Sequence, residues 1–222
     1  VGDVEPSAAA VRRFVASGSF PRLARLNLDR LELTPDLLGH LARGPWPLRH
    51  LRLSDVTVRK GGAKALAGAA FAGSLRVLEL DDCDVTAGGV QALAASPHLG
   101  GLKHLHLNTN PVGAGGLLAL ARSPHLRGLR RLELGGSSLP KAELPAAAVQ
   151  SFLAALDLPE LRHLILNGLP VGVRGARTIA AGGPFARLTK LELSGCGLRE
   201  TGARAVAESA ALPDLTILDV SD

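Results

Sequence analysis

Leu75-Arg76-Val77-Leu78-Glu79-Leu80-Asp81-Asp82-Cys83-Asp84-Val85 is the stretch whose reading decides the fold. In Leu78-Glu79-Leu80 the alternation puts two leucines on one side and a glutamate on the other, the period of a short strand. Gly88-Gly89 then breaks the extended run, and Thr86 stands where an N-cap belongs. Val90 and Leu93, three apart, mark one face of a helix predicted from Val90 to Ser96, and Pro97 ends it.

The same block, Leu-x-x-Leu-x-Leu, starts again at Leu23, Leu48, Leu102, Leu129, Leu161, Leu188 and Leu215, the last copy closing in Val220. Successive starts along the chain differ by 25, 27, 27, 27, 32, 27 and 27 residues. An apolar pair recurs twelve and nine residues before the next block: Leu117 and Leu120, Val149 and Phe152, Ala176 and Ile179, Ala203 and Val206. No single unit can bury its own leucines. Units must therefore stack, strand beside parallel strand and helix beside helix, into a continuous core. An apolar fraction of 46% supplies that core, and with aromatics at 3% and no Tyr it has to be aliphatic.

The signature Leu-x-x-Leu-x-Leu-x-x-Asn/Cys-x-Leu is met by Leu75 to Val85, Leu102 to Val112 and Leu188 to Leu198, and the chain resembles the leucine-rich-repeat family over nearly its whole length. Its unit length is similar to that of the ribonuclease-inhibitor-like subclass, including bacterial Gly- and Ala-rich repeats. The resemblance implies an α/β fold, a right-handed solenoid or horseshoe with a curved parallel sheet inside and helices outside. One repeat domain, 1–222, is expected, with 1–22 closing a preceding repeat and the whole forming a fragment of a longer chain. Neither end carries a polar capping repeat, which leaves room for oligomerisation through the ends. At the Asn/Cys slot stand Leu31, Val56, Cys83, Asn110, Ser137, Leu169 and Cys196, so those loops are expected to be held more by packing than by hydrogen bonds. The long interval places an insertion at Pro140 to Pro145, read as a neutral addition at the rim.

Side chains opposite the strand leucines line the concave surface in two rows. Arg25, His50, Val77, His104, Arg131, His163, Lys190 and Ile217 form the first; Asn27, Arg52, Glu79, His106, Glu133, Ile165, Glu192 and Asp219 form the second. Cross-strand charge pairing would select such rows, and so would a charged partner. The candidate partner-binding residues are His50, Arg52, Glu79, Asp81, His104, His106, Asn108, Arg131, Glu133, His163, Lys190 and Glu192. A second candidate is the basic rim formed by Arg49, Arg76, Lys103, Arg130 and Arg162, each just after the first leucine of its block.

Other chemistry is not favoured. Cys83 and Cys196 occupy one slot four units apart, about 20 Å at ordinary strand spacing, beyond any disulfide. They read as buried thiols in a reducing, cytoplasmic setting. His104 and His106 with Glu79, Asp81 and Glu133 bring metal ligation to mind, but a repeat surface seldom fixes such ligands, and solvated or pH-sensitive histidine is the preferred reading. Gly113-Ala114-Gly115-Gly116 recurs as Gly61-Gly62 and Gly88-Gly89, so it is a strand-to-helix turn and not a phosphate loop. No catalytic constellation and no cofactor motif is present, and no apolar run is long enough to cross a membrane.

The sequence therefore predicts a non-catalytic scaffold for protein–protein interaction that binds a protein or peptide on the concave face. The alternative is polyanion binding, to nucleic acid or an acidic protein, through the basic rim, permitted by the net charge of +5. Nucleic acid is the weaker choice, because Trp46 is the single indole and stacking platforms are missing. The resemblance also admits a regulatory repeat region of a larger enzyme or ubiquitin-ligase subunit.

Overall fold

The computed structural model describes residues 8–17, 20–31, 33, 35–136 and 144–221, leaving aside the side chains of Ala8, Val11 and Pro35. Among these residues eight strands alternate with eight α-helices. The strands are β1 (Arg25–Asn27), β2 (His50–Arg52), β3 (Val77–Glu79), β4 (His104–His106), β5 (Arg131–Glu133), β6 (His163–Ile165), β7 (Lys190–Glu192) and β8 (Ile217–Asp219). The helices are α1 (Ala8–Ala16), α2 (Pro35–Leu41), α3 (Arg59–Ala67), α4 (Ala87–Ala94), α5 (Gly113–Ala121), α6 (Ala146–Ala155), α7 (Gly172–Ala180) and α8 (Arg199–Ala207).

All eight strands lie in one open sheet in chain order, each parallel to the next. The register follows the repeat without a slip: Leu51, Leu78, Leu105, Leu132, Leu164 and Leu191 are cross-strand partners in turn. Each of these leucines is fully buried and points toward the helices, which also pack consecutively. Burying one such side chain contributes about 1.5–3 kcal/mol before the ordering entropy is set against it. The core is aliphatic as composition requires, with Phe71, Phe152 and Phe185 filling gaps and Trp46 stacked on Phe14 near the first repeat, ring centroids 4.8 Å apart.

A strand of three residues has to be stopped, and the stop is a left-handed residue at a constant slot: Arg30, Asp55, Asp82, Thr109, Gly136, Gly168 and Gly195 all have positive φ. Glycine and aspartate tolerate that conformation best. Helix α4 begins at Ala87, ahead of the expected Val90, with Thr86 at its N-cap in extended backbone and without a side-chain cap bond. It ends at Ala94, and Pro97 opens a short 3₁₀ turn.

Where the Asn/Cys slot is filled by Asn or Cys, hydrogen bonds join packing in holding the loops. Asn110 is buried, and its Oδ1 accepts the Cys83 and Val85 N–H groups at 3.0 and 2.9 Å while its amide donates to the Leu80 and Asn108 carbonyls. The thiols of Cys83 and Cys196 donate to the carbonyls of Leu53 and Leu166. Ser96, Ser123 and Ser209 donate to carbonyls near the ends of preceding helices, at Ala67, Ala94 and Ala180. Only Leu144 and Pro145 of the expected insertion are described, Leu144 being buried and Pro145 capping α6; Pro140 to Glu143, with Ser137 and Leu139, lie outside the described residues.

Candidate functional site

On the sheet face opposite the helices, the two expected rows form as read. Register pairs His50 with Val77, His104, Arg131, His163 and Lys190 in succession, and Arg52 with Glu79, His106, Glu133, Ile165 and Glu192. Most of these side chains are half-buried, because each leans on its neighbours.

The charges on this face answer one another. Glu79 Oε1 lies 2.6 Å from His50 Nε2, and Arg52 Nε sits between Asp29 at 2.7 Å and Glu79 at 3.5 Å. Two triads repeat one design. Glu133 accepts from Arg131 Nε through Oε1 and from Asn108 Nδ2 through Oε2; Glu192 accepts from Lys190 Nζ at 2.7 Å and from Asn167 Nδ2 at 3.0 Å. Although burial alone pushes the Glu133 carboxyl upward, the Asn108 hydrogen bond, His106 and Arg131 together bring it below the usual glutamate range. His106 Nε2 is buried and 3.7 Å from Glu133, too far for a hydrogen bond.

Among the described residues His104 and His163 have neither the hydrogen bond that His50 makes to Glu79 nor the ion-pair contact of His106 with Glu133. Both titrate below the ordinary histidine value. Burial is the largest cause for each; His106, Arg131, His163 and Arg130 add repulsion at His104, while Arg131 and Lys190, partly offset by Glu133, act on His163.

Asp81 and Asn108 belong to a third row that sequence reasoning missed. Asp29, Asp81, Asn108 and Asn167 occupy one slot two residues past the second row, and each accepts through Oδ1 the backbone N–H of the same slot in the next repeat: Ser54, Asn108, Gly135 and Ser194, all at 2.8 Å. Their recurrence as Asp or Asn at that spacing was the available signal. Asp81 is raised above the usual aspartate range, burial outweighing its bond from Asn108. Where Gly135 interrupts this row, a hollow of 340 Å³ opens between the two triads, with Ile165 and Gly136 among its lining.

The rim also forms: the backbone of Arg76, Lys103, Arg130 and Arg162 bonds successively to the carbonyls of Arg49, Arg76, Lys103 and Arg130. Its charges are partly committed to the protein itself. Arg76 donates to the Gly73, Ser74 and Leu75 carbonyls, Lys103 to Gly128, and Arg162 to Leu161. Both cysteines are buried thiols, and burial pushes the Cys83 pKa up to about 12. Among the described residues, no group of three or more His, Cys, Asp or Glu is placed to hold a metal ion, and no helix is long and apolar enough to cross a membrane.

The Leucine Rich repeat family profile matches residues 74–94, 102–121 and 188–207. No curated protein matches the sequence. Among solved structures, an internalin from Listeria monocytogenes aligns over 97% of this chain at 17% identity and a TM-score of 0.53; the chain spans 64% of the internalin's length. A tropomodulin C-terminal domain from Caenorhabditis elegans aligns over 94% of this chain and 92% of its own length, at 11% identity and a TM-score of 0.45. The matches leave the subclass unassigned. Register, period and the three matched stretches give this chain the fold of a leucine-rich-repeat solenoid and make it similar to that family.

Proposed function

We propose that this chain is a non-catalytic scaffold that binds a protein segment on the strand face of its sheet. The observation that carries the reading is the in-register array itself: eight strands hold two rows of charged and imidazole side chains on a rigid aliphatic core. Such an array costs little side-chain entropy on binding, because Asn108 and Asn167 already orient Glu133 and Glu192. The rim is the lesser candidate for polyanions, since Arg76, Lys103 and Arg162 spend donors on backbone carbonyls.

The experiment is a display selection of random linear peptides on the immobilised chain, with the selected peptides titrated against two variants. H104S/H163S alters the strand face, and K60Q/K64Q alters α3 on the opposite side. The reading expects peptides whose affinity falls with the first variant and holds with the second. Peptides that respond only to the helix-side variant, or none that respond to the strand face, defeat it.

A further inference from the structure

Resting on the strand-face reading, the inference concerns the chemistry of the segment bound. His104, Arg131, His163 and Lys190 are register neighbours on four successive strands, the longest unbroken basic run in the first row; Val77 interrupts the row on β3 and Ile217 ends it on β8. At ordinary strand spacing the run spans about 14 Å. Rim residues Lys103, Arg130 and Arg162 lie directly beside it. Across the rim and both rows of β4 to β7 there are five permanent cations and two carboxylates, Glu133 and Glu192.

Those carboxylates orient the cations without exhausting them. Glu133 takes the Nε–H of Arg131 and leaves the four Nη hydrogens, while Glu192 takes one of the three Nζ hydrogens of Lys190. Arg131 and Lys190 keep 33% and 25% of their side chains exposed, enough for the heads to be reached. His104 and His163 stand in the same run with unused ring nitrogens, and burial, with the cations around them second, holds both rings neutral more firmly than usual. On β2 the corresponding groups are engaged: Glu79 takes His50, and Asp29 and Glu79 hold Arg52.

We propose that the run His104–Arg131–His163–Lys190 is a docking site for an acidic protein segment, whose carboxylates are received by Arg131 and Lys190 with the two imidazoles between and beside them. A protein segment fits better than a nucleic acid. Glu133 and Glu192 oppose a continuous phosphate backbone, whereas side-chain carboxylates can sit over the cations and avoid them. Base stacking also has no platform here: Trp46, Phe71, Phe152 and Phe185 are inside the core, and the exposed Phe20 precedes β1, away from β4 to β7. Carboxylates placed beside His104 and His163 offset the repulsion from Arg130, Arg131 and Lys190, so both rings bind protons more readily in the complex.

The test uses the 222-residue chain and a capped Gly-Asp-Glu-Asp-Gly peptide, beside its Asn/Gln counterpart and an oligothymidylate of equal charge. Histidine ring resonances are followed through a pH titration. The acidic peptide should bind, weaken as salt rises, and move the titration midpoints of His104 and His163 upward. The variant R131Q/E133Q/K190Q/E192Q removes each cation together with its counter-charge, and should lose affinity by at least about tenfold. Should that variant fail to fold, H163E at its half-buried position should give the same loss. Equal binding of the Asn/Gln peptide, tighter binding of the oligothymidylate, or unchanged affinity in the folded variants overturns the proposal. Display-selected peptides that depend on the strand face but carry no acidic residue would overturn this inference and leave the broader reading standing; an absence of any strand-face peptides would remove the broader reading itself.

Discussion

Asn110 occupies a slot that five other repeats fill with Leu, Val or Cys, and it is the one asparagine there. Its amide closes four backbone hydrogen bonds in a place water does not reach. N110A should therefore cost about 3 kcal/mol in urea unfolding, since two buried N–H groups lose their only acceptor. A cost below about 1 kcal/mol would mean the loop rests on packing after all. Cys83 gives a second residue-scale test. Its thiol titrates near 12 in the folded chain against 9.0 in the open one, so stability is intact below pH 9 and declines as pH rises toward 12, where the unfolded state alone sheds the proton. Between pH 9 and 11 that amounts to about 2–3 kcal/mol. The C83A variant should be less stable at neutral pH but show a flatter alkaline decline; parallel slopes would refute the assignment. The slot was legible in the sequence, the hydrogen bonds only partly, because the polar partner of an Asn or a thiol is a backbone group whose position depends on the neighbouring repeat.

At the scale of elements, the helices approach one another across glycines at a constant slot: Gly62, Gly89, Gly116, Gly175 and Gly202. A Cβ on Gly116 would stand 3.1 Å from Val90 Cβ and 3.3 Å from Ala87 Cα, both on α4, and neither can yield unless the helix moves. A Cβ on Gly115 would meet only the Gln91 amide, at 2.9 Å, which can swing away. Adjacent glycines on one helix thus have opposite expectations. G115A should stabilise by up to about 1 kcal/mol through helix propensity. G116V should destabilise by about 1–3 kcal/mol through overpacking. If thermal unfolding midpoints moved the same way for both, close packing at Gly116 would not be the reason for the repeated glycine. Gly61-Gly62, Gly88-Gly89 and the glycines of 113–116 were read in the sequence as turn formers, which fits Gly113 with its positive φ; the second role follows from helix-to-helix distance, which one repeat read alone does not disclose. The third-row Asp and Asn residues share that difficulty: their partner is the next repeat's backbone, so Asp81 and Asn108 looked like ligand contacts.

The molecule as a whole is a one-dimensional stack, so its stability should be distributed by position. Interior strand leucines from Leu51 to Leu191 are fully buried, whereas Leu26 on β1 and Leu218 on β8 are only partly covered, having a neighbour on one side. The sheet has no closure to share that load, and each unit is coupled chiefly to the units before and after it. Amide hydrogen exchange should therefore be slowest in β4, β5 and β6 and progressively faster toward both edges. L105A, in the centre, should cost about 2–5 kcal/mol and accelerate exchange on both sides of β4. L218A should cost about 1 kcal/mol and act on α8 and β8 alone, because few atoms surround that methyl cluster and the cavity opens to solvent. Uniform protection across all eight strands, or an L218A effect that reaches β4, would show a single cooperative unit. In that case the strand face would open and close as one, and the basic run on β4 to β7 would lose its place at the most rigid part of the stack.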